Sequence, residues 1–141
     1  MSHQALILDA NILIRAVLGQ QVFKLLDKFH DTTAFYAPDD AFSDAEKYLP
    51  LIFRKRDIDW GVGAMVLRRL PSLVQCIEFE VYRDFESKAR QRIRDVRDWT
   101  VLAAALALDC PIWSEDQDFF GSGVATWTTK TVQIYLNRAD Q

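Results

Sequence analysis

The chain has 141 residues, half of them hydrophobic and 26% charged, with a net charge of −3. This is enough for one domain with a single well-filled core, taken here as residues 1–141, and the composition is that of an ordinary globular protein. The acidic balance excludes wholesale wrapping of nucleic acid, though not a local basic surface.

The longest apolar run, Val101–Leu108, falls far short of the ~20 residues that span a bilayer. Asp9 interrupts the first apolar run, so neither a targeting segment nor a membrane span is expected, and the chain reads as soluble and cytoplasmic. Cys76 and Cys110 stand alone and read as buried, reduced thiols. There is no CxxC pair, and His3 and His30 are too few and too far apart for a histidine-rich centre.

Ala5–Leu8 is a short continuous apolar run, as in a strand buried on both faces of a parallel sheet, and it stops at Asp9. Helices are predicted over Asn11–Leu18 and Gln20–Phe29, and a second strand over Thr33–Ala37. Pro38 closes that strand, and Asp39 or Asp40 has the chemistry to cap the next helix. In that helix Phe42, Ala45, Leu49, Ile52 and Phe53 share a stripe that Glu46 borders, which should aim its carboxylate at the sheet edge.

Asp57–Leu70 reads as a further helix stopped by Pro71, Leu73–Phe79 as a third strand, and Val81–Ile93 as a charged amphipathic helix. Asp95 can cap the helix from Val96 onward, whose Val101–Leu108 stretch is apolar all round and therefore buried. Ile112–Ser114 and Val124–Trp127 complete the strands, and Thr128 is expected to cap a last helix, Val132–Asn137. Strands alternating with helices imply a parallel sheet with right-handed crossovers.

Asp9 and Asp116 each fall where a buried strand ends, the edge at which open α/β sheets place ligands. An aspartate there either accepts from backbone N–H groups of the following helix or faces a cation, and both can hold for Asp9. For Asp98, in a first helical turn, favourable placement in the helix dipole is the competing explanation. If the first and fourth strands are neighbours, Asp9 and Asp116 lie side by side, within reach of Glu46 and Asp98. Two carboxylates ~4 Å apart repel by about 4 kcal/mol at an effective dielectric of 20. Such a group needs protons or metal ions, and an all-oxygen set suits Mg²⁺ or Mn²⁺. The reaction expected of it is metal-dependent hydrolysis of a phosphodiester. Arg90, Arg92, Arg94 and Arg97 lead into Asp98 and form either a solvated helix face or a phosphate-binding rim.

The segments LILDANIL, the helix carrying Glu46, RDVRDWTVLAAALAL and SEDQDFF resemble, in order, the four sequence blocks of the PIN domain nucleases. The closing GSGVATWTTKTVQIYL is similar to that family's last strand and helix. The resemblance implies a three-layer α/β/α sandwich with a five-stranded parallel sheet of order 3-2-1-4-5. It implies Asp9, Glu46, Asp98 and Asp116 as the catalytic and metal-binding acids for Mg²⁺ or Mn²⁺. Asn11, Ser114 and Asp118 match accessory positions. RDVRD departs from the family's frequent RDPDD, Arg97 replacing an acid, so the third ligand is Asp95 or Asp98; Asp98 is preferred by spacing, with Asp95 as its cap. Small members of this look are toxins of VapBC-type pairs, which implies an RNA substrate, a small antitoxin and a homodimer.

Other α/β readings fare worse. A phosphate-accepting receiver would need an acidic pair near the first strand and a lysine after the last. A haloacid-dehalogenase-like phosphatase would need an aspartate where Asn11 stands. A degenerate PIN fold used for protein binding remains the rival from another class.

Overall fold

The computed structural model describes residues 4–140, with side chains described through Arg138; His3 lies outside the described residues. Strand β1 (Gln4–Leu8) runs into α1 (Ala10–Leu18) and α2 (Gln21–Phe29). Strand β2 (Thr33–Pro38) feeds α3 (Asp39–Lys55), followed by α4 (Trp60–Arg69) and β3 (Val74–Ile77). The chain continues through α5 (Phe79–Tyr82), α6 (Glu86–Arg92) and α7 (Trp99–Leu108). It closes with β4 (Ile112–Trp113), β5 (Thr126–Trp127) and α8 (Val132–Leu136).

The five strands form one parallel sheet of order β3-β2-β1-β4-β5. Strand β1 is central, and because successive side chains alternate across a sheet, its residues feed two cores. Leu6 and Leu8 join a core built with α1 to α4 and α8, while Ile7 joins the one built with α7, Ala89 and Phe119. Helices therefore cover both faces, giving three layers. Helix α7 has no polar face to show: Val101 through Ala105 are all buried, against Ile7 and Ile112. Burying those residues anchors the helix and fixes the acid at its amino end.

Several local expectations give way to tertiary contacts. Helix α4 starts at Trp60 rather than Asp57, because Asp57 adopts a left-handed backbone (φ 56°) and Asp59 caps the helix through the Gly61 N–H. Pro38 holds the N-cap position of α3, with Asp39 and Asp40 inside the helix; Asp39 accepts the Asp40 N–H at 2.9 Å, and the two carboxylates are also engaged by Tyr82 and Thr100. The charged helix of Val81–Ile93 is broken by a 3-10 turn at Arg83–Phe85. Thr131 holds the N-cap position of α8, and Thr128 contributes its carbonyl rather than its hydroxyl. Cys76 is exposed, since β3 is an edge strand, and Cys110 is half-buried.

Candidate active site

Asp9 follows the last residue of β1 and is buried, 7% exposed. Its Oδ1 accepts the Ile12 N–H at 3.0 Å, capping α1. Its other oxygen, Oδ2, accepts a hydrogen bond from the Ser114 hydroxyl. Ser114 follows β4, the neighbour of β1, and its Oγ in turn accepts the Asp116 N–H at 2.9 Å. One buried hydroxyl thus ties the ends of two adjacent strands together. Asp116 also caps a 3-10 turn, Oδ1 accepting the Asp118 N–H at 2.9 Å.

Asp98 enters from the other side, as the N-cap residue of α7. Burial first, then the charge of Asp116 and a hydrogen bond shared with it, push the Asp98 carboxyl up to about 7; Asp95 and Asp9 add to the effect. Asp9 is pushed up to about 6, chiefly by burial and further by Asp116, while Ser114 and the backbone donors oppose the rise. Partial desolvation and Asp116 also raise Asp118. Asp9, Asp98 and Asp116 thus stand within electrostatic reach of one another; Asp9 and Asp98 line the cleft, and Asp116 is not among its lining residues. Oxygens of Asp95, Asp98 and Asp118 lie within 4.8 Å of one another, so the acidic surface continues beyond the three.

Glu46 lies apart from these acids. It is exposed and absent from the cleft, which is lined on the α3 side by Asp40, Asp44 and Tyr48. Helical residues turn about 100° each, so Asp44 and Glu46 stand on opposite flanks of the stripe formed by Ala41, Ala45 and Leu49. Asp40, Asp44 and Tyr48 recur every fourth residue along the flank facing α1 and α7. The Glu46 flank faces the other way, where its charge acts on the Cys76 thiol of β3. Bordering the apolar face was the wrong test, because both flanks border it. The i, i+4, i+8 run of Asp40, Asp44 and Tyr48 was the available signal.

The accessory residues divide. Asn11, exposed at the start of α1, lines the cleft, and Ser114 sits beneath it. Asp95 caps the 3-10 turn Val96–Asp98 and grips Arg97 in a bidentate pair, with Arg97 Nη2 at 2.7 Å. Its carboxyl is held below the usual range by those bonds. The four arginines do not act as one rim. Arg97 lines the cleft, and Arg94 lies near enough to oppose the rise at Asp118. Arg90 is spent on Glu86 (2.7 Å) and on the Trp99 ring, its guanidinium 5.0 Å from the centroid. Arg92 lies by Gly123, away from the cleft lining.

The cleft has a volume of about 170 Å³, and Arg97 is its one basic lining residue. Asp98 Oδ2 and Asp40 Oδ1 are buried without a hydrogen-bond donor among the described residues. A buried acceptor left unpaired is costly, and crowded carboxylates repel. Protons or a divalent cation relieve both, and among the described residues the acids whose oxygens lie close enough to share one ion are Asp95, Asp98 and Asp118.

Comparison with known proteins shows the family and the fold. The chain belongs to the PIN domain family, whose model matches residues 7–137. No curated protein sequence matches it. Among solved structures it is similar to PAE2754 from Pyrobaculum aerophilum, at 16% identity and a TM-score of 0.68 over 96% of this chain and 90% of that one. VapBC2 from Rickettsia felis, bound to a DNA fragment from its promoter, aligns at 12% identity and TM-score 0.65, covering 89% and 98%. A toxin–antitoxin complex from Klebsiella pneumoniae aligns at 17% and 0.62, covering 88% and 97%. At these identities the likeness is one of fold. Among the described residues no helix is long and apolar enough to cross a membrane.

Proposed function

We propose that the protein is a metal-dependent endoribonuclease and the toxin of a toxin–antitoxin pair. The observation that carries this reading is the meeting of Asp9 and Asp98 in one strand-end cleft, with Asp116 close enough to act on both and a buried Asp98 oxygen lacking any donor among the described residues. Mg²⁺ or Mn²⁺ suits such a site, since both take oxygen ligands in partial coordination and leave room for waters and phosphate. Asp9, Asp98 and Asp116 would hold the ion, with Asp44 or Asp40 in the place first given to Glu46. When bound, such an ion polarises a phosphoryl oxygen and lowers the pKa of a coordinated water.

The remaining residues orient and balance. Ser114 fixes Asp9 and holds the Asp116 backbone beside it. Asn11 offers an amide at the cleft wall, and Arg97 and Arg94 supply positive charge for a phosphate. Asp95, committed to Arg97, positions that guanidinium rather than acting as a ligand. Kinship with the family and the toxin–antitoxin complexes of the same fold support a small antitoxin as partner, and RNA as substrate, a homodimer and a cytoplasmic location belong to the same proposal.

The test is cleavage of RNA by the purified protein in Mg²⁺ or Mn²⁺ and in EDTA. Cutting is expected only with metal; Asp9→Asn should abolish it without unfolding the chain, and Asp44→Asn should impair it far more than Glu46→Gln. Equal cutting by wild type and Asp9→Asn in EDTA would defeat the proposal. So would the absence of both cutting and Mn²⁺ binding, which leaves the fold as a protein-binding module.

A further inference from the structure

We infer that a groove beside the acidic cleft, walled by Phe79 and Trp99, seats one unpaired nucleobase of the single strand whose backbone crosses the cleft. The inference rests on the nuclease reading and extends it to how substrate is positioned. The groove has a volume of about 450 Å³ and is continuous with the cleft: Asp40 and Thr100, joined by a 2.8 Å hydrogen bond, line both. Trp99 directly follows Asp98.

The aromatic wall is rigid. Phe79, Tyr82 and Trp99 meet edge to face, with centroid separations of 5.6 Å (Phe79–Tyr82), 5.8 Å (Tyr82–Trp99) and 6.4 Å (Phe79–Trp99). Tyr82 is buried, and its hydroxyl donates to Asp39 Oδ1 at 2.5 Å. The other Asp39 oxygen accepts the Phe79 N–H at 3.3 Å, so one carboxylate fixes both ends of this short helix. Phe79 nonetheless stays 41% exposed. An apolar ring held still and left open to solvent loses little freedom on binding, and nucleobases stack on such rings whatever their sequence.

The polar lining selects the occupant. Asp39 and Asp40 repel phosphate, so the groove takes a flat uncharged group while the backbone keeps to the side of Arg97. A base already stacked inside a duplex cannot enter, so the strand must be single.

The experiment measures binding of a short single-stranded RNA to Asp9→Asn protein in Mg²⁺, which leaves the strand uncut. Each nucleotide in turn is replaced by an abasic one. Loss of one base should weaken binding about ten-fold, the scale of one base–aromatic stack. Phe79→Leu, which keeps apolar volume but removes the ring face, should bind intact RNA about ten-fold more weakly. That variant should be indifferent to the abasic replacement and melt at the same temperature, and Phe79→Tyr should restore affinity. A flat abasic profile, or wild-type affinity in Phe79→Leu, overturns the inference; if wild-type protein still cuts RNA in Mg²⁺, the nuclease reading survives it. Failure of wild type to bind or cut RNA overturns both.

Discussion

Ser114 ties two of the acids to each other, donating to Asp9 and accepting from the Asp116 backbone. Its donated hydrogen bond favours the charged form of Asp9 against burial. Ser114→Ala should therefore raise the Asp9 pKa further above about 6. Because a metal ligand must be deprotonated, the pH at which Mn²⁺ binds should move upward, as read by calorimetry at several pH values. An unchanged pH dependence would show that Ser114 acts only on the backbone. The same scale explains the correction on α3: Asp44 and Glu46 have the same charge and neighbouring positions, and only their side of the helix separates them.

At the scale of elements, the α3–α4 contact depends on a glycine. A Cβ on Gly63 would sit 2.6 Å from the Phe53 ring and 2.7 Å from that of Trp60. Those two rings are themselves in edge-to-face contact at 5.1 Å, so neither can retreat freely. Helix propensity favours alanine over glycine by about 1 kcal/mol, yet overpacking costs roughly 1–3 kcal/mol. The clash should win, and Gly63→Ala should lower the unfolding midpoint in urea; a rise would mean the rings repack. Because α3 also carries Asp40 and Asp44 to the cleft, its displacement should weaken metal binding as well.

For the whole molecule, the acidic cleft links stability to pH. Asp9 at about 6 and Asp98 at about 7 both lie above their ordinary value of 3.8. The folded chain therefore binds more protons than the unfolded one between roughly pH 4 and 7, and stability falls with rising pH over that window. Their contribution is fully present below about pH 4 and lost as each group ionises. Metal-free protein should show this decline in thermal midpoint between pH 4 and 7.5, and Mn²⁺ should reverse it at the upper end by binding the folded state. Asp98→Asn should flatten the decline, and an equally steep one in that variant would place its origin elsewhere.

The alternation of apolar strands with helices, and the acids that end β1 and follow β4, were legible in the linear order because each is a local event. A buried strand must be apolar, and a carboxylate that interrupts it must be paired or charged against something. Sheet order and the four blocks came with the family resemblance, which the match over residues 7–137 bears out for the family. Where Glu46 and Asp44 point was beyond reach of that reading. An apolar stripe tells which face of α3 meets the core but not which flank meets α1 and α7, and that choice is made by how the helix lies across the sheet. Tertiary packing likewise engaged Asp39 with Tyr82 and Asp40 with Thr100, bound Arg90 to Glu86 and Trp99, and left Cys76 on an open edge. Sequence by itself determined what each segment must bury; only the folded arrangement decided which of the remaining charges face one another, because that depends on neighbours far away along the chain.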